Sequence, residues 1–166
     1  HTRNAVHVIT TFDSGGSSAE LRRAFDMPAV GDIRARIMAL ADRSLEGNPE
    51  IVELLGYRLP KDAGPEALHR ELASLASGAH PLVAAIPEPM NEVVTQHLSA
   101  FRSLMPVDMD LAGASIGNLI LTSGYLSLDR QLEPVVRVFS GMVQARGVVM
   151  PVADSCAHLC VRLENG

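Results

Sequence analysis

Thr11-Phe12-Asp13-Ser14-Gly15-Gly16-Ser17-Ser18-Ala19-Glu20-Leu21-Arg22, followed by Pro28-Ala29-Val30-Gly31-Asp32-Ile33-Arg34, is the stretch from which the fold is read. On its amino side, Ala5 to Phe12 is rich in β-branched residues and runs into Asp-Ser-Gly-Gly, which predicts a buried strand ending in a turn. On its carboxyl side, Ala19 to Phe25 predicts a helix with Ser17 or Ser18 as its N-cap. Ile33, Ile37, Leu40 and Ala41 recur at helical spacing, so a second helix is expected from about Asp32 to Ser44. In an open α/β sheet, ligands bind beyond the carboxyl ends of the strands, where Asp13 falls.

The residue types suit phosphate chemistry. Gly15 and Gly16 allow close backbone approach, Ser17 and Ser18 sit where a helix start presents free N–H groups, and Arg22 or Arg34 offsets negative charge. Asp13 and Asp32 offer the hard oxygens that Mg2+ prefers. The same residues also serve as an ordinary strand-to-helix loop, with Asp32 a simple N-cap.

A second stretch, Asp110 to Leu119, precedes an almost wholly apolar helix predicted from Ile116 to Leu126 and expected to be buried on most sides. Ser115 falls at its start, Gly117 admits a ligand to its first turn, and Asn118 supplies both a donor and an acceptor. Gly113 to Gly117 is also a literal Gly-x-Ser-x-Gly match, with Asp154 and His158 following in the chain order of an α/β-hydrolase. Acids interrupt the preceding run Val107 to Ala112, and a His-Gly-Gly-Gly segment is lacking, so a serine hydrolase built on Ser115 is the minor alternative.

Between these stretches the chain reads as helices. Pro49 starts a short one, Pro65 to Ser77 carries the stripe Leu68, Leu72, Leu75 and Ala76 ended by Gly78, and Pro89 to Met105 carries Val94, His97, Leu98, Phe101 and Leu104. His97 is read as a packing histidine, His69 and Arg70 as solvent-facing, and His80 to Pro87 as a loop or cap. Residues 46–109 are expected to form a helical insertion in a single domain. Leu132 to Val143 predicts an amphipathic helix ended by Gly147, then come short strands at Val148 to Val152 and Ala157 to Leu163.

The wording of the two leading stretches resembles the 2-phospho-L-lactate transferase (CofD-like) family, which includes the UDP-sugar-binding gluconeogenesis factors of bacteria. The matching residues are Asp13, Gly15, Gly16, Ser17, Ser18, Leu21 and Arg22, then Gly31, Asp32, Ile33 and Arg34, with Gly113 to Leu119 and Ala145 to Pro151 matching further on. Ser14 stands where the family has a second aspartate, Ala19 replaces a glycine, and Val30 replaces a proline. The resemblance implies an α/β, Rossmann-like three-layer fold with a mostly parallel sheet. It also implies that Ser115, Gly117 and Asn118 help to form a nucleotide pocket. The family begins with a strand and a Gly-Gly-Gly-Thr-Gly loop that this sequence lacks, so the chain is expected to be N-terminally incomplete.

The 166 residues, 47% of them hydrophobic, suffice for one domain with a sizeable core. A formal charge of −5 leaves no electrostatic footprint for nucleic acid, and no apolar run reaches membrane-spanning length. A cytoplasmic location is the default expectation, and a homodimer is among the expected partners. Cys156 and Cys160 are expected as buried free thiols; with His158 alone they do not make a structural zinc site. Two functions stay open. One is binding of a nucleotide diphosphate or nucleotide sugar; the other is transfer of a phospho-acyl group from a guanosine diphosphate donor to an alcohol acceptor. Ser14 in place of an acid favours binding.

Overall fold

A helix buried on every side has to be surrounded, and the segment Ile116–Ser127 (α7) meets that condition: each residue from Ile116 to Tyr125 is buried. In the computed structural model of the chain, which describes residues 5–44 and 47–157, the other elements are arranged around it. β1 (Val6–Ile9) leads through a loop into α1 (Gly16–Phe25) and α2 (Gly31–Leu40). The middle of the chain forms α3 (Pro49–Gly56), α4 (Pro65–Ala76), the single turn α5 (Pro81–Ala84) and α6 (Met90–Leu104). After α7 come α8 (Leu132–Met142) and β2 (Val148–Pro151). α1, α2, α3, α6 and α8 all touch α7, while α4 packs on the far side of α6.

Small residues on α7 set how closely its neighbours approach. A Cβ placed on Gly124 would lie 2.8 Å from Val135 Cγ1, so the glycine is what lets α8 seat against α7. Beside this contact the His97 ring meets Phe139 with centroids 5.5 Å apart, which fits the packing role expected of that histidine. Burial lowers the His97 pKa, because the charged imidazolium is poorly solvated there. The expected stripe Leu68, Leu72, Leu75 and Ala76 is buried on α4, as are Val94, Leu98 and Phe101 on α6.

β1 and β2 pair in parallel, from Val6 opposite Val148 to Ile9 opposite Pro151. The pairing continues past the strands through Val152 N–H to Ile9 O at 2.9 Å and Thr11 Oγ1 to Ala153 O at 3.1 Å. Val149 points into the core, but Val6 and Val8 are 59% and 62% exposed, with Val148, Met150 and Val152 exposed beside them. The expected buried strand is therefore only half-buried, on the face of His7 and Ile9, since alternation along a strand sends successive side chains to opposite faces. The strand expected at Ala157 to Leu163 falls almost wholly outside the described residues.

Three other boundaries differ from the reading of the sequence. α2 ends at Leu40, short of Ser44, and α8 ends at Met142, well before Gly147. Both ends stop where they meet: Asp42 N–H donates to Val143 O at 3.0 Å and Arg146 N–H to Leu40 O at 2.8 Å. His80 to Pro87, expected as a loop or cap, contains the turn α5. Cys156, expected to be buried, is exposed, and Cys160 lies outside the described residues.

Two outcomes follow. Gly124→Ala should destabilise the protein by about 1–2 kcal/mol through overpacking against Val135, despite the better helix propensity of alanine. In urea titrations Val135→Ala should cost less in that background than alone, and additivity would contradict the contact. The Asp42 carboxyl is held down to about 2, first by the Ser44 backbone N–H and next by Arg146, 2.8 Å away. A depressed folded-state pKa contributes stability above the usual carboxylate pKa near 4, which is lost as pH falls toward 2. Arg146→Gln should move the Asp42 midpoint upward by NMR titration; an unmoved midpoint would leave the whole effect to Ser44.

Candidate functional site

The loop after β1 is shaped by a carboxylate folding back on its own chain. Asp13 Oδ1 accepts from Gly15 N–H at 2.9 Å, an Asx turn that aims the chain into α1. Gly15 occupies the N-cap position and Gly16 takes φ +53°, a left-handed value that favours glycine. Ser17 and Ser18 lie in the first turn of α1 instead of capping it, and among the described residues no side chain caps the helix start. Its leading N–H groups thus keep their capacity for an anion.

Gly31 marks where α2 closes on this loop. A Cβ there would lie 2.5 Å from Ser18 Oγ, 3.6 Å from Asp13 Oδ2 and 3.9 Å from Asn118 Nδ2. The site thus brings together residues of both leading stretches, and the join is made by hydrogen bonds. Asn118 Nδ2 donates to Ser17 Oγ at 3.2 Å, and Arg34 Nε donates to Asn118 Oδ1 at 2.9 Å across 84 positions of sequence. Arg34 also donates from Nη1 to Leu55 O at 3.3 Å and to Met38 Sδ at 3.2 Å. The absence of a side chain at Gly117 makes this possible, since a Cβ would fall 2.6 Å from Leu55 O and 2.7 Å from Arg34 Cδ.

Arg22, expected to offset phosphate charge, makes contacts with backbone carbonyls. It is buried, with Nη1 donating to Phe12 O at 3.1 Å and Asp13 O at 3.0 Å, and Nη2 donating to Ala157 O at 2.7 Å. The guanidinium ties the Asp13 loop to the segment after β2, which makes it a positioning residue. Its Nη2 also lies 3.8 Å from Cys156 Sγ.

Asp32 is exposed in the first turn of α2, whose N-cap is Val30, so it is not the cap that the plain reading made it. Among the described residues no three His, Cys, Asp or Glu side chains gather as a metal site. The oxygens of Asp13 and Ser18 around Gly31 suit a hard cation that takes the rest of its shell from water and phosphate, as Mg2+ does.

Ser115 is the N-cap of α7 with φ −82° and ψ 126°, ordinary extended backbone and not the strained turn of a nucleophile elbow. Its side chain is fully buried, and Oγ has no partner among the described residues. His158 lies outside the described residues.

Arg58 and Lys61 are the residues that the sequence reading missed. Arg58 pairs with Ser115 in an antiparallel bridge, flanked by Leu59 N–H to Ala114 O at 2.9 Å and Ile116 N–H to Tyr57 O at 3.0 Å. Its Nη1 donates to Gly113 O at 3.1 Å, and the Lys61 stem lies over Gly113, which has φ +67°. Burial lowers the Arg34 pKa, and the charge of Arg58 adds to that lowering. Nothing in the local sequence of the Tyr57 to Pro65 loop signals a pairing with a stretch more than fifty residues downstream.

Comparison with known proteins places the chain in a family. The family model described as 2-phospho-L-lactate transferase CofD matches residues 1–166. An uncharacterized protein of Saccharomyces cerevisiae is 32% identical over 97% of the chain and 37% of its own length. A protein of Listeria monocytogenes called gluconeogenesis factor is 26% identical over 96% of the chain and 34% of its own length. The chain thus spans about a third of the length of the curated relatives it matches. A solved structure from Bacillus halodurans, a UPF0052 family protein, superposes with a TM-score of 0.56 at 22% identity, over 92% of this chain and 32% of that one. The α/β fold expected from the sequence is the fold of that neighbour.

The crowding at Gly117 gives a direct check. Gly117→Ala should cost about 1–3 kcal/mol in urea denaturation, because the Leu55 carbonyl belongs to the backbone and has little room to give. An unchanged midpoint would mean that Arg34 and α3 do not close over α7 as described.

Proposed function

The chain belongs to the 2-phospho-L-lactate transferase CofD family, and on that premise we propose that it forms one wall of a site for a nucleotide diphosphate or nucleotide sugar. The observation that carries this reading is the convergence of Asp13 Oδ2, Ser18 Oγ and Asn118 Nδ2 around the bare face of Gly31. Phosphate oxygens find N–H donors from the first turn of α1 at Gly16, Ser17 and Ser18, where no side chain competes for them. Arg34 supplies the balancing charge, its guanidinium fixed by Asn118 and the Leu55 carbonyl before any ligand arrives.

Mg2+, when bound, neutralises phosphate charge. Asp13 would hold it, and Asp32, exposed in the first turn of α2, is the second candidate carboxylate. Ser14, exposed at the loop tip where a second acid would add a ligand, weakens that grip. The relatives called gluconeogenesis factor support a binding role. The family description supports a second reading, transfer of a phospho-acyl group from a guanosine diphosphate donor to an alcohol; it needs an acceptor pocket that the described residues do not identify. A cytoplasmic setting and a homodimer belong to the same proposal. Among the described residues no helix is long and apolar enough to cross a membrane.

Thermal shift with GDP and with UDP-sugars, each with and without Mg2+, tests the reading. At a ligand concentration a hundred times Kd the gain should be about 2.7 kcal/mol. Asp13→Asn should remove the Mg2+-dependent part and leave the rest. No stabilisation by any nucleotide would overturn the proposal, and an unchanged Mg2+ effect in Asp13→Asn would remove the metal assignment.

A further inference from the structure

Arg34, bonded to the Leu55 carbonyl, and Arg58, bridged to Ser115, both lie near the start of α7. Among the described residues the ion pairs are Arg23 with Glu20, Arg70 with Glu66, Arg137 with Glu133 and Arg146 with Asp42, so neither of these arginines has a carboxylate partner. Every acceptor that holds them is neutral: the Asn118 amide, the Leu55 carbonyl and the Met38 sulfur for Arg34, and the Gly113 carbonyl for Arg58. These contacts fix direction without cancelling charge.

The arrangement carries a cost that folding alone does not explain. Arg34 is only partly exposed, and both its burial and the neighbouring Arg58 work against its charged form. A chain with a net charge of −5 has many carboxylates with which to relieve such a pair, yet among the described residues none forms an ion pair with either arginine. The geometry is also built in on both sides. Gly117 leaves room for the Arg34 stem, and the backbone bridge from Arg58 to Ser115 anchors the second arginine beside α7. Two cations held apart from acids by fixed neutral groups are stabilised when an oxyanion sits between them.

We propose that Arg58 is an anion-binding residue which, together with Arg34, takes a phosphoryl or carboxylate oxyanion of the ligand on the Arg34 side of Asn118. The inference rests on the nucleotide reading of the site and deepens it, by giving the ligand a second anionic contact beyond the Asp13 loop. Arg58 is exposed where Arg34 is only partly so, so it is the member of the pair that a ligand reaches first.

Isothermal titration with inorganic pyrophosphate and with malonate, in EDTA, tests this on the wild type, Arg58→Gln and Arg58→Lys. At least one anion should bind the wild type, with affinity falling roughly ten-fold or more in Arg58→Gln, as expected for one charge-assisted hydrogen bond, and less in Arg58→Lys. The preferred anion distinguishes a phosphoryl from a carboxylate contact. Unliganded Arg58→Gln should melt close to the wild type, because the change also removes a repulsion; should it fail to fold, Arg58→Lys carries the comparison. Binding that Arg58→Gln leaves intact, or that Arg58→Lys leaves intact where Gln does not fold, overturns the inference, as does a wild type that binds neither anion. Failure of the nucleotide reading looks different: GDP and UDP-sugars leave the wild type unstabilised while the anion response still depends on Arg58.

Discussion

The amide of Asn118 is the constraint on which the site depends. It sits on the first turn of a helix buried all round, where an unsatisfied polar group costs about 1–3 kcal/mol. Its oxygen is satisfied by Arg34 from α2 and its nitrogen by Ser17 from α1, so one side chain couples three helices. An amide is the group for this, because it donates and accepts from opposite ends. The glycines at 31 and 117 then read as clearances around that link, each set by the approach of a neighbour.

The burial of α7 explains why the described residues can be so helical around so little sheet. Its apolar surface faces α3, α6 and α8 in turn, and its buried polar residues include Asn118, Thr122 and Ser123. Thr122 returns its hydroxyl to the Asn118 carbonyl at 2.8 Å, a bond within the helix that needs no outside partner. Packing rigidity around α7 holds the site's polar groups in position before a ligand arrives.

Much of this was legible in the residues. Val-His-Val-Ile before Asp-Ser-Gly-Gly told strand from turn, the unbroken apolar run after Ser115 marked the central helix, and Gly31, Arg34, Gly117 and Asn118 do converge. What escaped was whatever depends on a distant partner. Ser17 reads as a cap but is held by Asn118, and nothing local signalled the bonds of Arg22 to the backbone carbonyls of Phe12, Asp13 and Ala157. Arg58 gave no local signal, because its place is fixed by a two-residue bridge to Ser115. The ends of α2 and α8 were misjudged for the same reason: each stops where it hydrogen-bonds the other, not where its own periodicity fades.

The guanidinium of Arg22 makes the two ends of the described chain answer to each other. Phe12 and Asp13 share one of its nitrogens, and Ala157 takes the other. The carboxylate loop therefore owes part of its shape to a carbonyl some 140 residues away, a long closure in entropic terms. The Arg22 link between the loop and Ala157 completes only once the segment after β2 is in place, so the loop's own Asx turn is local while its anchoring is not.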